Sequence, residues 1–222
     1  DLIKNYLFRK AVNQDAKVED LYEDFWARFE TDFWRTEVQQ GRIKRPRIDL
    51  FISHYLSLMT RDEVKSSHLF NVFKNFVENA EPEAGSNIQL PEDAAGHIEQ
   101  LARYADIFVT FHRPGSHAAL ARFLHFLDAV DTATVYPFLL YAYARLMPES
   151  RAEFDRVLAV IESFLMRRLI TNYTSKNYNR LFVDLIRAVD KGEVLTAKAV
   201  ADHLGKGAGD STKFPTDSDL LT

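Results

Sequence analysis

The chain has 222 residues, of which 46% are hydrophobic and 27% charged, with a formal net charge of −4. That is enough apolar content for a substantial core, held in one domain or in two closely packed halves. The absence of Cys excludes disulfides, thiolate nucleophiles and Cys-based zinc sites. No apolar run approaches the ~20 residues of a membrane-spanning helix, and no charged and apolar start ends in a small-residue cleavage site, so the default expectation is a cytoplasmic protein with no membrane partner.

Apolar residues recur at helical spacing through almost the whole chain, and no convincing alternating strand is visible. Leu2, Ile3, Tyr6 and Leu7 predict a first helix. Val18, Leu21, Tyr22, Phe25, Trp26, Phe29 and Phe33 keep one face of a second, aromatic-heavy helix. A third carries Ile48, Phe51, Ile52, Tyr55, Leu56 and Met59, with Pro46 pre-setting its start. Thr60 and Glu63 have capping-box spacing ahead of a fourth with Leu69, Phe70, Phe73, Phe76 and Val77.

The Pro, Gly and Ser bearing stretch EPEAGSNIQLPED, from Glu81, reads as the longest internal loop, and residues 79–91 are the best boundary between two helical halves. Pro91 fits the first turn of a long helix through Leu101, Tyr104, Phe108 and Phe111, stopped near Pro114 and Gly115. Helices then follow over Leu120–Leu127 and Val135–Leu146. Ser150 and Glu153 make a second capping-box match ahead of Phe154, Val157, Leu158, Ile161, Phe164 and Leu165. Ser175 is placed to cap a helix with Leu181, Phe182, Leu185, Ile186 and Val189 that ends near Gly192, and a short helix runs from Thr196 to His203. The expected fold is all-α, a multi-helix array of roughly nine or ten helices. Residues 1–204 form the helical domain, and the glycine-rich, polar residues 205–222 a linker.

Most catalytic patterns fail on spacing. Gly205, Gly207 and Gly209 alternate, but Lys206 precedes Gly207, and no Lys followed by Ser or Thr comes after the last Gly, as a phosphate-cradling loop requires. The seven His residues make no HExxH pair. Asp93 and His97 alone share a helix face, better explained as an exposed pair or salt bridge than as a metal site. Glu19, Asp20, Glu23 and Asp24 lie on the polar side of an amphipathic helix, where nothing pushes their pKa values apart. No G-x-S-x-G elbow is present. The sequence therefore predicts no catalytic residue, metal ligand or cofactor-binding residue in this chain.

Charge distribution offers two candidate contact surfaces. Arg42, Lys44, Arg45 and Arg47 cluster in a loop feeding a helix, with no acid among residues 41–47. Such cations beside a helix N-terminus can hold a phosphate, although a solvated loop is the plainer reading. Arg167, Arg168, Lys176 and Arg180, interleaved with Tyr173 and Tyr178, form the second. They suit a grip on a nucleic-acid backbone with a stacked base, against ordinary cationic charge at a helix C-terminus.

Five segments read together carry a resemblance: DLIKNYLF at Asp1, LYEDFWARFE at Leu21, IDLFISHYLSLMTRDEV at Ile48, IESFLMRRLITNYTSKNYNRLF at Ile161 and KFPTDSDL at Lys213. In that order they are similar to the helical middle region of the GmrSD-type family, large prokaryotic proteins linked to restriction of modified foreign DNA. The absence of an initiator Met at Asp1 and the stop at SDLLT in mid-pattern fit a piece of a longer protein. The resemblance implies a parent with a ParB/sulfiredoxin-like nucleotide-hydrolysing domain before Asp1. In many members an HNH-type nuclease follows, and the parent is expected to use a nucleoside triphosphate and a divalent metal. The Asp-Gly-Gln-Gln-Arg type motif and the His and Asn of a ββα-metal nuclease are absent here, so no catalytic residue carries over. The implied role is a scaffold that couples neighbouring domains of the same chain and contacts the DNA backbone. The competing reading, from the aromatic-rich helices carrying Trp26, Phe33 and Trp34, is an interaction or homo-oligomerisation module with no nucleic-acid role.

Overall fold

A computed structural model of the chain describes residues 1–40, 43–64, 66–191 and 194–221. The fold is all-α, and among the described residues the one sheet is a two-stranded hairpin. The chain divides into two compact units, Asp1–Val109 and Thr110–Thr222. The division therefore falls inside a helix and not in the loop at 79–91, because that loop lies within the first unit. No described helix is long and apolar enough to cross a membrane.

In the first unit, α1 (Leu2–Val12) buries Ile3, Leu7 and Ala11, a stripe of i, i+4 and i+8 positions. The predicted second helix is instead broken. α2 (Val18–Leu21) runs into a π turn at Tyr22–Trp26 and a 3-10 turn at Ala27–Glu30, and Thr31 is extended before α3 (Asp32–Arg35). One continuous helix would align Trp26 and Phe29 with Phe33. The break at Thr31 turns Trp34 inward in its place, so Trp26, Phe29 and Trp34 are all buried while Phe33 stays at the rim. Tertiary packing of two indoles outweighs the modest cost of interrupting a helix.

Trp34 then anchors an aromatic cluster. Its ring centroid lies 5.3 Å from Phe29 and from Phe51 and 5.8 Å from Phe108, over which it stacks at 21°. Phe51 and Tyr55 come from α4 (Arg47–Thr60), and Tyr104 and Phe108 from α6 (Ala94–His112). α4 is buried continuously from Phe51 to Met59 and ends at Arg61, which is left-handed at φ 51°. Thr60 belongs to that last turn and donates to Leu56 O at 2.8 Å, so it does not cap the next helix, α5 (Leu69–Asn79), which begins after His68. α6 likewise starts later than Pro91. Asp93 caps it, its Oδ1 accepting from Gly96 N at 2.7 Å.

In the second unit, α7 (Ala118–Ala129), α8 (Tyr136–Leu146) and α11 (Ala197–Gly205) pack on α9 (Arg151–Ile170), and α10 (Tyr178–Asp190) packs on α8 and α11. Ser150 caps α9 as predicted, accepting from Glu153 N at 3.2 Å. The reciprocal half of the box is replaced: Glu153 turns its carboxylate to Arg156 and to Ala197 N, 2.7 Å away in the first turn of α11. That orphan donor and the adjacent cation hold the Glu153 carboxyl below its ordinary range. Ser175 does not cap α10. Its carbonyl accepts from Tyr178 N, and Asn177 is the residue before the helix. Gly192, expected to end α10, lies outside the described residues.

Removing the indole that completes the first unit's aromatic cluster should cost about 3–5 kcal/mol. Trp34→Ala is therefore expected to lower the urea midpoint of the whole chain substantially. Phe33→Ala, at the rim, should cost clearly less in the same titration.

Candidate nucleic-acid interface

Lys44 and Arg45 lie in a strand, and Arg47 opens α4, where a loop was expected. Glu37–Gln40 (β1) and Ile43–Pro46 (β2) pair antiparallel, with Val38 opposite Arg45 and Gln39 opposite Lys44. Cross-strand partners share a face and neighbours alternate, so the hairpin separates cations that are adjacent in sequence. Lys44 and Gln39 are exposed; Val38 and Arg45 are half-buried on the other face. Burial draws the Arg45 guanidinium below its usual range, and Asp49 on α4 partly offsets this. Arg47 is engaged in packing: its Nη1 donates to Phe33 O at 2.6 Å and its guanidinium lies 4.2 Å from the Phe33 ring centroid. Gly41 and Arg42 lie outside the described residues. Of this run, Lys44 is the described cation presented outward.

The second run divides in a similar way. Lys176 is exposed, and Arg180, with 82% of its side chain accessible, sits 3.6 Å from Asp184. Arg167 faces the chain's own C-terminal segment, with Nη1 on Pro215 O at 3.2 Å and Nη2 on Asp217 at 2.7 Å. Arg168 is fully buried, which removes it from the candidate backbone contacts. Tyr178 is buried as well, so it presents no face for a base to stack on.

Arg168 is satisfied almost entirely by neutral oxygen. Nε donates to the Tyr178 hydroxyl at 3.0 Å, Nη1 to Lys213 O at 2.7 Å, and Nη2 to Thr174 O at 2.6 Å and Asp210 O at 2.8 Å. Its guanidinium carbon lies within 5.4–5.5 Å of the Phe164, Tyr173 and Tyr178 ring centroids. The local geometry follows from how α9 ends. Asn172 is left-handed at φ 55°, the chain reverses, and the Thr174 carbonyl comes back onto the guanidinium. Residues 206–221, expected to be a flexible linker, are instead folded against α9. Gly207 is required there, because a Cβ would lie 2.2 Å from Thr212 O. Phe214 packs edge-on to Phe164 at 5.2 Å. Thr216 caps the short α12 (Asp217–Leu220) in a reciprocal box with Asp219.

Two further pairings had no sequence signal because their partners are remote. His117, buried just before α7, places Nε2 2.6 Å from Asp155 Oδ1 on α9. Tyr55 donates to Gln100 Oε1 at 2.6 Å, and burial pushes its hydroxyl well above the usual range. Among the described residues, no group of three His, Asp or Glu side chains could hold a metal ion.

Among its described residues the first unit has at least two concavities. One of about 290 Å³ is walled by Trp26, Phe29 and Phe70 with Lys4 and Asp49 at its edge. Another of about 240 Å³ is bounded by Arg61, Asn75, Asn79, Glu81 and Glu83. Neither brings together a nucleophile, a base and an orienting group. Glu19, Asp20, Glu23 and Asp24 are exposed, as expected. Comparison with protein families, with curated proteins and with solved structures gives no match.

His97 also departs from the expected exposed position. It is buried, not exposed beside Asp93, and packs edge-on to Phe76 at 5.4 Å. Burial, with Lys10 adding to it, draws its pKa from 6.5 to about 4. The folded state therefore takes up the proton later than the unfolded state as pH falls. The contribution of this one group to stability is full above about pH 6.5 and is lost toward pH 4, on the order of 3 kcal/mol. His97→Leu should flatten that part of a stability-versus-pH curve measured by urea unfolding.

Proposed function

We propose that this chain is the helical scaffold of a GmrSD-like modification-dependent DNA restriction protein. It would work in the cytoplasm, holding a nucleotide-hydrolysing domain and an HNH-type nuclease domain of the same parent in defined relation. In this reading the chain itself makes and breaks no covalent bond. Nucleotide and divalent metal belong to the neighbouring domains. Contact with the DNA backbone is made through outward cations, Lys44 on the hairpin and Lys176 and Arg180 at the start of α10.

The observation that supports a scaffold most directly is the use made of Arg168. Taking any charged side chain out of water has a cost, and here the guanidinium ties the C-terminal segment to α9 through Lys213 O and Asp210 O. A charge committed to holding backbone in place serves positioning, not turnover. Arg47 and Arg167 are used in the same way.

A second reading, a protein-interaction or oligomerisation module, rests on different residues from those the sequence suggested. Trp26 and Trp34 are buried and present no patch. Among the described residues, Met166, Leu169 and Ile170 of α9, at i, i+3 and i+4, face solvent with accessibilities of 39%, 58% and 60%.

One salt titration separates the two. If the scaffold contacts DNA, the isolated chain should bind duplex at about 50 mM salt and lose affinity steeply by about 200 mM. Lys44→Glu and Arg180→Glu should each weaken binding several-fold and reduce the salt slope by about 1 or more. Absent binding, together with concentration-dependent self-association abolished by Leu169→Glu in sedimentation, would favour the interaction module. Hydrolysis of nucleotide or DNA by the isolated chain would overturn both.

A further inference from the structure

We infer that residues 206–221 form a two-state latch on the second unit, docked by Arg168 and able to release as one piece while the helices beneath remain folded. This inference goes beyond the scaffold reading and stands on the second unit's own geometry.

Three features of the segment make it a separable unit. Its internal order is short-range: Lys213 N donates to Gly209 O at 2.9 Å, Thr216 N to Asp219 Oδ2 at 2.7 Å, and Lys213 pairs with Asp219. Its attachment is concentrated on consecutive residues of α9. Arg168 holds Asp210 O and Lys213 O, and Arg167 holds Pro215 O and Asp217. Its apolar contribution is small, with Pro215 buried, Leu220 half-buried and Phe214 only half-buried against Phe164. A segment with few buried apolar groups sits at the low end of local opening free energies.

The attachment is also cooperative. One rigid planar guanidinium bridges two points of the segment, so Asp210 O and Lys213 O arrive or leave together. The other acceptors of Arg168, Thr174 O and the Tyr178 hydroxyl, belong to the α9–α10 body and stay with it. Among the described residues, no carboxylate pairs with Arg168. Release therefore exposes a cation that retains two hydrogen bonds and regains water, and the body need not unfold to accommodate it. The ion pair at the outer end, Arg167 with Asp217, is open to solvent on the Asp217 side, which is 87% accessible. It supplies little attachment that salt would not screen.

Hydrogen–deuterium exchange of the full chain, read by mass spectrometry, tests the latch. The amides of Lys213, Thr216 and Asp219 are expected to exchange at least tenfold faster than core amides of α9 and α10. Arg168→Gln should raise the segment's exchange a further tenfold or more and leave core exchange in α9 and α10 within about threefold of the parent. Gly207→Val gives an independent check, since it prevents the 207–212 turn from closing without touching α9. It should release the segment to a similar extent. Segment amides exchanging only at the rate of α9 would overturn the latch, as would unchanged segment exchange in Gly207→Val, or unfolding of the second unit by both variants.

Discussion

The architecture depends on removing aromatic rings from water. Helices such as α1 and α9 bury one apolar stripe and α4 is buried on every face, and at roughly 25 cal/mol per Å² of apolar surface the large rings dominate what each gains on burial. In the first unit that gain is strong enough to override local preference. The chain accepts a π turn, a 3-10 turn and an extended Thr31 so that Trp26, Phe29 and Trp34 all face inward. α4 and α6 answer with Phe51, Tyr55, Tyr104 and Phe108.

Charge is arranged around that requirement. The two basic runs look alike in sequence, yet each contains cations drawn inward and cations left outside. Strand alternation sorts the first, turning Arg45 toward Asp49 and Lys44 to solvent. Helix periodicity and the reversal at Asn172 sort the second, burying Arg168 under the C-terminal segment while Lys176 and Arg180 stay exposed. A guanidinium suits the buried role because its planar fork satisfies several carbonyls at once and because it stacks on aromatic faces, as Arg168 does over Phe164, Tyr173 and Tyr178.

Much of the helical order was legible from spacing alone. The stripes of α1, α4, α5 and α9, the Ser150 cap and the Thr196 start of α11 all follow from local rules. The departures have three separate physical causes. Thr60 and Glu63 have the right spacing for a cap, but α4 continues through Thr60 because its buried face extends to Met59. The paired strands were invisible because four residues each carry too few alternations to register. The glycine-rich end read as a linker because its anchor, Arg168, lies 42 and 45 residues away in sequence from the carbonyls it holds.

By itself the sequence determined the helical class, the absence of thiol chemistry and the positions of most stripes, since each is a property of composition or of neighbours within one or two turns. Only the tertiary structure decided which cations are exposed and which are engaged in packing, where the two units divide, and that residues 206–221 are docked. Those outcomes depend on desolvation and on hydrogen bonds between distant segments, and no local pattern encodes which carbonyl a guanidinium will meet.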